Sequence, residues 1–105
     1  MGLSNIYIWY NITGTEGLSN FVENTIAVTL KRFYEQITRI EVHLTDENGH
    51  KSGINDKRCV LEARLEGMQP IAVTAHNDTI QAALKSALDK LKSALDTSLG
   101  RLQNH

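Results

Sequence analysis

Three short segments of the sequence decide the fold of this chain: RIEVHLT at residues 39–45, CVLEARL at 59–65 and IAVTA at 71–75. In each segment the apolar side chains recur at every second position, which is typical of a β-strand that covers a core with one face. Polar, glycine-containing stretches separate the segments, at 46–56 and around Gly67. The sequence therefore predicts three consecutive strands joined by a long loop and a short turn.

Helical periodicity follows these strands. From Ile80 to Leu102 the apolar residues recur every three or four positions, the spacing that lines one side of an α-helix. Asp78 precedes this run and Gln81 lies three residues further on, so the pair has the spacing of a capping box. We expect a long amphipathic helix with Asp78 as its N-cap, disturbed or ended near Gly100.

The same two patterns occur before the three strands. Residues 5–11 are rich in β-branched and aromatic side chains, which predicts an opening strand. After a glycine-containing break at 14–17, apolar positions with helical spacing run from Leu18 to Ile37. We therefore expect a first helix whose apolar stripe includes Ile37.

The predicted order β-α-β-β-β-α defines an α+β fold. A strand–helix–strand unit favours a right-handed parallel crossover, whereas short connections make the later strands an antiparallel meander. We expect a four-stranded mixed sheet with both helices packed on one face, in a single domain over residues 1–105. The other face of the sheet is then open to solvent and carries Arg39, Glu41, His43, Arg58, Val60, Glu62 and Arg64.

Composition excludes several classes of protein. The chain of 105 residues has 11 basic and 12 acidic side chains and a formal net charge of −1, so no strong positive field attracts nucleic acid from a distance. No run approaches the ~20 apolar residues of a membrane-spanning helix, and no secretory signal opens the chain. We expect a cytoplasmic protein without a membrane partner. The single Cys59 is in phase with the apolar positions of its strand, which favours a buried core residue over a nucleophile.

No residues have the spacing of a catalytic or metal site. The acidic side chains of the strands alternate with arginines, which indicates cross-strand charge pairs rather than a shared acid–base site. The four histidines fall in different predicted elements, which disfavours a metal site. They are His43, His50, His76 and His105. We therefore expect no enzymatic activity, no metal and no cofactor.

The second helix is the one predicted element with more basic than acidic side chains. Its basic residues are Lys85, Lys90, Lys92 and Arg101. At about 100° per residue, two of these lysines share a flank with Asp89 and Asp96, and the other two cations lie on the opposite flank. Two interpretations remain open: a surface that contacts RNA, or a solvated helix face whose charges pair at i, i+3 and i, i+4.

Three stretches resemble the ribosome hibernation-promoting and ribosome-associated inhibitor family, also described as sigma-factor modulation proteins. They are RIEVHLTDENG at 39–49, NDKRCVLEAR at 55–64 and DKLKSAL at 89–95. The resemblance covers nearly the whole chain, and it implies a fold like that of double-stranded-RNA-binding domains. It also implies a short-form, non-enzymatic factor that binds the small ribosomal subunit and its rRNA in the channel of messenger and transfer RNA, where it inhibits translation under stress.

The resemblance also suggests which residues contact RNA. They are Lys85, Lys90, Lys92, Arg101, Arg32, Lys57 and Arg58. Lys90 matches a lysine of the family's second helix, and Lys57 and Arg58 match its basic pair at the third strand, although solvated charges at a loop boundary explain that pair equally well. Ser93 and Thr97 stand where relatives often carry basic residues, so we expect fewer phosphate contacts than in those relatives.

A second hypothesis keeps the fold without the RNA affinity. The chain is then a non-enzymatic protein-binding or self-associating module with weak or no RNA binding. The near-neutral charge favours this hypothesis, and so does the absence of Lys and Arg from the first thirty residues. The open sheet face also permits a weak homodimer through Arg39, His43, Val60 and Glu62.

Overall fold

The computed structural model describes residues 5–10, 17–46 and 56–103, with side chains up to Leu99. Its strands are β1 (Ile6–Tyr10), β2 (Ile37–Asp46), β3 (Lys57–Leu65) and β4 (Ile71–Asn77). Its helices are α1 (Leu18–Thr29), a 3-10 helix (Lys31–Phe33) and α2 (Ile80–Gln103). The predicted order β-α-β-β-β-α is confirmed. The predicted loop between β2 and β3 lies largely outside the described residues, as does most of the break before α1.

The four strands form one mixed sheet in the order β1-β2-β3-β4. β1 runs parallel to β2, with Ile8 opposite Val42. The other neighbours are antiparallel, with Val42 opposite Leu61 and Leu61 opposite Val73. Gly67 makes the turn between β3 and β4 with a φ of 74°, a left-handed conformation that glycine adopts without strain. The expected parallel crossover and antiparallel meander are therefore both present.

The core lies between one face of the sheet and the two helices. α2 packs on β3 and β4, and Val22 and Ile26 bring α1 into the same apolar cluster. The strands contribute every second residue, including Val42, Leu44 and Leu61, which are at most 1% exposed. Both helices thus cover the same sheet face, as predicted. No helix among the described residues is long and apolar enough to cross a membrane.

The first helix is shorter than its apolar pattern predicts. It ends at Thr29, because Leu30 leaves the helical conformation with φ −103° and ψ 16°. Ile37 is the first residue of β2, so its assignment to the helix was wrong. A register shift between Ile37 and Arg39 places both Ile37 and Ile40 in the core, although residues three apart on a regular strand face opposite sides.

The start and end of α2 also differ from the prediction. The helix begins at Ile80, so its N-cap position is Thr79 and not Asp78. Thr79 Oγ1 accepts a hydrogen bond from the Ala82 N–H at 3.1 Å, the bond that a threonine N-cap makes to the third helical residue. Helical backbone continues through Gly100 to Gln103, because a single glycine lowers helix propensity without breaking the hydrogen-bond ladder.

Cys59 is fully buried, as predicted, and its thiol is protected by that burial. Desolvation raises the pKa of Cys59 from 9.0 to about 12. Because the thiolate is the reactive form, we expect a thiol reagent near pH 8 to label the folded protein about a hundredfold or more slowly than the urea-unfolded chain. The absorbance of the released chromophore measures both rates. Equal rates would show that Cys59 is accessible.

The same pKa shift predicts how stability depends on pH. The neutral thiol is favoured in the folded protein, so its contribution is complete below pH 9 and is lost as pH rises towards 12. We expect the free energy of unfolding of Cys59→Ala to fall less steeply above pH 9 than that of the unchanged protein. Urea titrations at several pH values measure the two slopes, and identical slopes would contradict the assignment.

Candidate nucleic-acid interface

One flank of α2 carries exposed lysines and faces the end of α1. Lys85 and Lys92 are exposed and seven residues apart, which places them about 10 Å apart along the helix axis. Arg32, from the 3-10 helix, forms an ion pair and hydrogen bond with Asp96 on this flank. The structure thus brings three of the predicted residues together. We call Arg32, Lys85 and Lys92 the helix surface.

Acidic side chains reduce the positive charge of the helix surface. Asp96 offsets the charge of Arg32, and Asp89 lies between Lys85 and Lys92 in the sequence. The side chains of Arg32 and Asp96 are 60% and 49% exposed, so water screens their attraction. Arg32 can therefore leave Asp96 for another partner at little cost in free energy. The surface has the charges of a phosphate site, but one of them is already paired.

Lys90 lies on the other flank of α2, beside the sheet. Its Nζ donates a hydrogen bond to the backbone oxygen of Thr74 in β4 at 2.8 Å. In the described sheet β4 is an edge strand, so Lys90 supplies a hydrogen-bond partner to a strand whose one described neighbour is β3. An ammonium group has three donors, so this structural contact leaves donors for an RNA phosphate. Arg101 lies in the helical backbone beyond the residues whose side chains are described.

Lys57 has a structural role at the end of β3. Its Nζ lies 2.9 Å from Asp56 Oδ1 and 3.4 Å from Asp46 Oδ2, and Asp56 is only 5% exposed. The hydrogen bond that Lys57 donates to Asp56 and the nearby carboxylate of Asp46 raise the pKa of Lys57 above its ordinary 10.5. Lys57 therefore joins the end of β2 to the start of β3, and its charge is directed at two carboxylates rather than at a phosphate.

Arg58 is separated from the helix surface by the whole sheet. It points to the face opposite the helices, where its register partners are Thr45 on β2 and His76 on β4. The predicted RNA-binding residues thus fall on two sides of the molecule. We call this second side the open face, and its outward residues are Tyr7, Trp9, Arg39, Glu41, His43, Thr45, Arg58, Val60, Glu62, Arg64, Ala72, Thr74 and His76.

The open face has aromatic rings that sequence reasoning did not include. Tyr7 and Trp9 are each 44% exposed and lie beside β2, opposite Glu41 and His43. The rings of Trp9 and His43 are stacked, with centroids 4.7 Å apart and planes 10° apart. The sequence does contain a signal for these rings. Tyr7 and Trp9 alternate with Ile6 and Ile8, which gives β1 one apolar side and one aromatic side.

Ion pairs on the open face run along strands. Arg39 pairs with Glu41 at 3.0 Å, and Arg64 pairs with Glu62 at 3.7 Å. The expected cross-strand pairing was wrong: Glu41 lies opposite Glu62, and Arg39 lies opposite Arg64. The register that buries the apolar side chains places like charges opposite one another, so each arginine bonds two residues along its own strand instead.

The described residues contain no group of three or more His, Cys, Asp and Glu side chains placed to hold a metal ion. His43 and His76 share the open face but lie on β2 and β4, with β3 between them. His50 and His105 lie outside the described residues. The geometry of the described residues therefore favours a binding surface over a metal site.

Comparisons with known proteins agree with this architecture. Residues 7–103 match the family model described as sigma 54 modulation protein / S30EA ribosomal protein. No curated protein sequence matches the chain at a significant level. Among solved structures, the Thermus thermophilus Protein Y N-terminal domain is similar, with 22% identity and a TM-score of 0.69 over 90% of this chain and 98% of that one.

A second solved structure is equally similar. It is a ribosomal subunit interface protein from Coxiella burnetii, with 17% identity and a TM-score of 0.70 over 92% of this chain and 99% of that one. At such low identities these two likenesses establish the shared fold and no more.

The contacts of Lys57 predict that its substitution lowers stability. In Lys57→Met the two carboxylates lose their shared cation, so we expect a lower urea midpoint. Lys85→Met is the matched control, because Lys85 is exposed and its loss leaves the midpoint nearly unchanged. The difference between the variants stays constant from pH 7 to 9, since the pKa of Lys57 is raised above 10.5 and the group is charged throughout. Equal midpoints would assign Lys57 no structural role.

Proposed function

Because this chain belongs to the sigma 54 modulation protein / S30EA ribosomal protein family, we propose that it is a non-enzymatic, cytoplasmic factor that associates with the ribosome. It binds the small subunit through rRNA in the channel used by messenger and transfer RNA, and it inhibits translation in stressed cells. Family membership is the observation that carries this proposal. The exposed lysines of the helix surface supply the chemistry.

Lys85 and Lys92 suit contact with folded RNA. Both are exposed cations on one rigid helix, so they approach phosphates without reordering the backbone. Each phosphate that they neutralise releases counterions, which makes binding favourable at low salt and steeply weaker at high salt. Such contacts recognise the shape and charge of an RNA surface rather than its sequence.

The acidic residues of α2 limit this affinity. Asp89 and Asp96 repel the same phosphates that the lysines attract, and Arg32 must leave Asp96 before it can bind RNA. Ser93 and Thr97 are exposed and contribute hydroxyl groups without charge. We therefore expect the helix surface to bind RNA weakly and to depend strongly on salt.

The same contacts favour a second candidate function. Arg32 and Lys90 already have partners within the protein, so a module that binds proteins or its own copies, with little RNA affinity, remains consistent with the contacts. Salt titration separates the two candidates, because a protein-binding module shows little RNA binding at any salt concentration, whereas the ribosome-associated factor shows a steep decline.

Sedimentation with purified small ribosomal subunits tests the proposal. We expect co-sedimentation at low salt, with a log–log salt slope near −2 from Lys85 and Lys92, and inhibition of translation in an extract. Lys85→Gln and Lys92→Gln each reduce the slope by about one unit, whereas Lys31→Gln, an exposed change of equal charge outside the helix surface, leaves it unchanged. Protein that stays at the top of the gradient at low salt, without inhibition, would refute the proposal.

The Arg32–Asp96 pair predicts a variant with higher affinity. Asp96→Asn removes a repulsive charge and releases Arg32, so we expect tighter binding to the subunits and a salt slope steeper by about one unit. The double variant Arg32→Gln/Asp96→Asn tests the source of the gain, because without Arg32 most of the slope increase disappears. If the double variant keeps the full increase, Arg32 does not contact RNA.

A further inference from the structure

A groove lies at the end of β1, at the border of the open face. Its lining residues are Trp9, Tyr10, His43, Leu44 and Thr45. Among the described residues, β1 pairs with β2 as far as Tyr10 opposite Leu44, and β2 continues to Asp46, so the groove lies where the described pairing of the two strands ends. Its volume of about 280 Å³ is at the lower end of ligand pockets, which suits one small planar group rather than an extended ligand.

Stacked rings line the groove on the side of the open face. The rings of Trp9 and His43 are nearly parallel, with centroids 4.7 Å apart, and the ring of Tyr7 stacks on that of Trp9 with centroids 6.2 Å apart. The guanidinium of Arg39 lies 4.4 Å from the centre of the Tyr7 ring, and Glu41 fixes it by an ion pair. The rings are thus held in place before any ligand arrives, which lowers the entropic cost of binding a further ring.

Polar residues follow the stacked rings on the outward side of the sheet. Thr45 follows His43 on the outward side of β2 and is one of the residues that line the groove. Its register partner on β3 is Arg58, and adjacent strands are about 4.8 Å apart. A planar group against the rings would therefore have a hydrogen-bonding hydroxyl and a guanidinium within reach. Aromatic rings flanked by a cation suit a nucleotide, whose base stacks while its phosphate binds the cation.

We propose that this groove binds an unpaired nucleotide of ribosomal RNA, with the base stacked against Trp9 and His43 and the phosphate bound by Arg58. The outward residues of the groove, Trp9, His43 and Thr45, lie on the opposite side of the sheet from the helix surface. The choice of ribosomal RNA as the source rests on the proposed function. The proposal also gives Arg58 a role that α2 cannot share, since the sheet separates them.

Charge favours RNA over a second copy of this chain. The open face carries three arginines and two glutamates, so it is positive although the chain as a whole has a net charge of −1. Two copies that meet through this face would bring together surfaces of the same net charge, whereas RNA supplies phosphates that a positive surface attracts. The homodimer expected from sequence thus becomes the alternative that the experiment must exclude.

Trp9 is the only tryptophan in the chain, so its fluorescence reports directly on the groove. The probe is a set of single-stranded oligoribonucleotides of about eight nucleotides, within the usual site size of single-strand-binding folds. We expect saturable quenching of Trp9 emission at low salt, because a stacked base quenches the indole. A duplex of the same sequence should quench little, since its bases are already paired and stacked.

Variants separate stacking from charge. By anisotropy of a labelled oligonucleotide, Trp9→Leu should weaken binding about tenfold and Trp9→Phe, which keeps a ring, by much less. Arg58→Gln should flatten the salt slope by about 0.7 units, whereas Lys31→Gln, a matched loss of charge on the helix side, should not. Trp9 is 44% exposed on an edge strand, so Trp9→Leu is expected to fold, and circular dichroism checks this.

Three results would overturn the proposal. Absence of quenching at low salt would show that no base enters the groove. Equal competition by duplex RNA would show that phosphates alone are bound. A change of Trp9 emission with protein concentration in the absence of RNA, together with a dimer by light scattering, would show that a second copy covers the open face.

Purified small subunits without messenger RNA test the source of the nucleotide. If the source is ribosomal RNA, Trp9→Leu lowers co-sedimentation by about the factor seen with oligonucleotides. If the unchanged protein and Trp9→Leu sediment equally, the groove proposal fails while the proposed function stands. If the unchanged protein binds oligonucleotides through Trp9 but not subunits, the proposed function and the ribosomal source fail together.

Discussion

The structure depends on covering one face of a four-stranded sheet and leaving the other open. Since both helices lie on the same side, every strand must direct alternate residues towards them. β2 bears most of this requirement, because it pairs with β1 on one side and β3 on the other, and its Ile40, Val42 and Leu44 are almost fully buried. A slip of one residue would expose all three and bury arginine and glutamate in their place.

That constraint also fixes the chemistry of the open face. Once the apolar residues are in register, the outward residues have no further freedom of position, so Glu41 lies opposite Glu62 and Arg39 opposite Arg64. The charges are satisfied along the strands, by Arg39 with Glu41 and Arg64 with Glu62. The same constraint places Tyr7 and Trp9 beside β2 on the open face. The position of these rings is therefore a consequence of core packing as much as of any ligand.

Local periodicity predicts the elements of this fold well, and it fails where distant residues decide. The strands, α2 and the buried Cys59 follow from spacing, and the shared helix side follows from the order of the elements. Ile37 was misassigned because its burial depends on a register shift opposite β3, and a spacing of four residues from Phe33 and three to Ile40 cannot distinguish a helix from an irregular strand. The N-cap was displaced by one residue, because Asp78 and Thr79 are both good caps.

Only part of the candidate site was predictable, because local periodicity does not show which residues far apart in sequence come into contact. Helical spacing places Lys85 and Lys92 on one flank of α2, but the pairing of Arg32 with Asp96 and of Lys90 with Thr74 joins elements that are far apart in sequence. Trp9 reaches His43 only through the parallel register of β1 with β2, across a sequence separation of 34 residues, which alternation along β1 does not supply. Tertiary contacts, not residue types, therefore decide which cations remain available.

The two proposed surfaces fit a near-neutral protein better than either does alone. A net charge of −1 gives little long-range attraction, so affinity must come from the local contacts of the two surfaces. The helix surface and the groove lie on opposite sides, and a flat RNA would reach only one of them. An RNA channel that surrounds the domain reaches both, and once one surface is bound the second contact is intramolecular, so two weak sites combine into tight binding. Such a protein binds free RNA poorly and an enclosing RNA site well, which makes its selectivity a matter of shape.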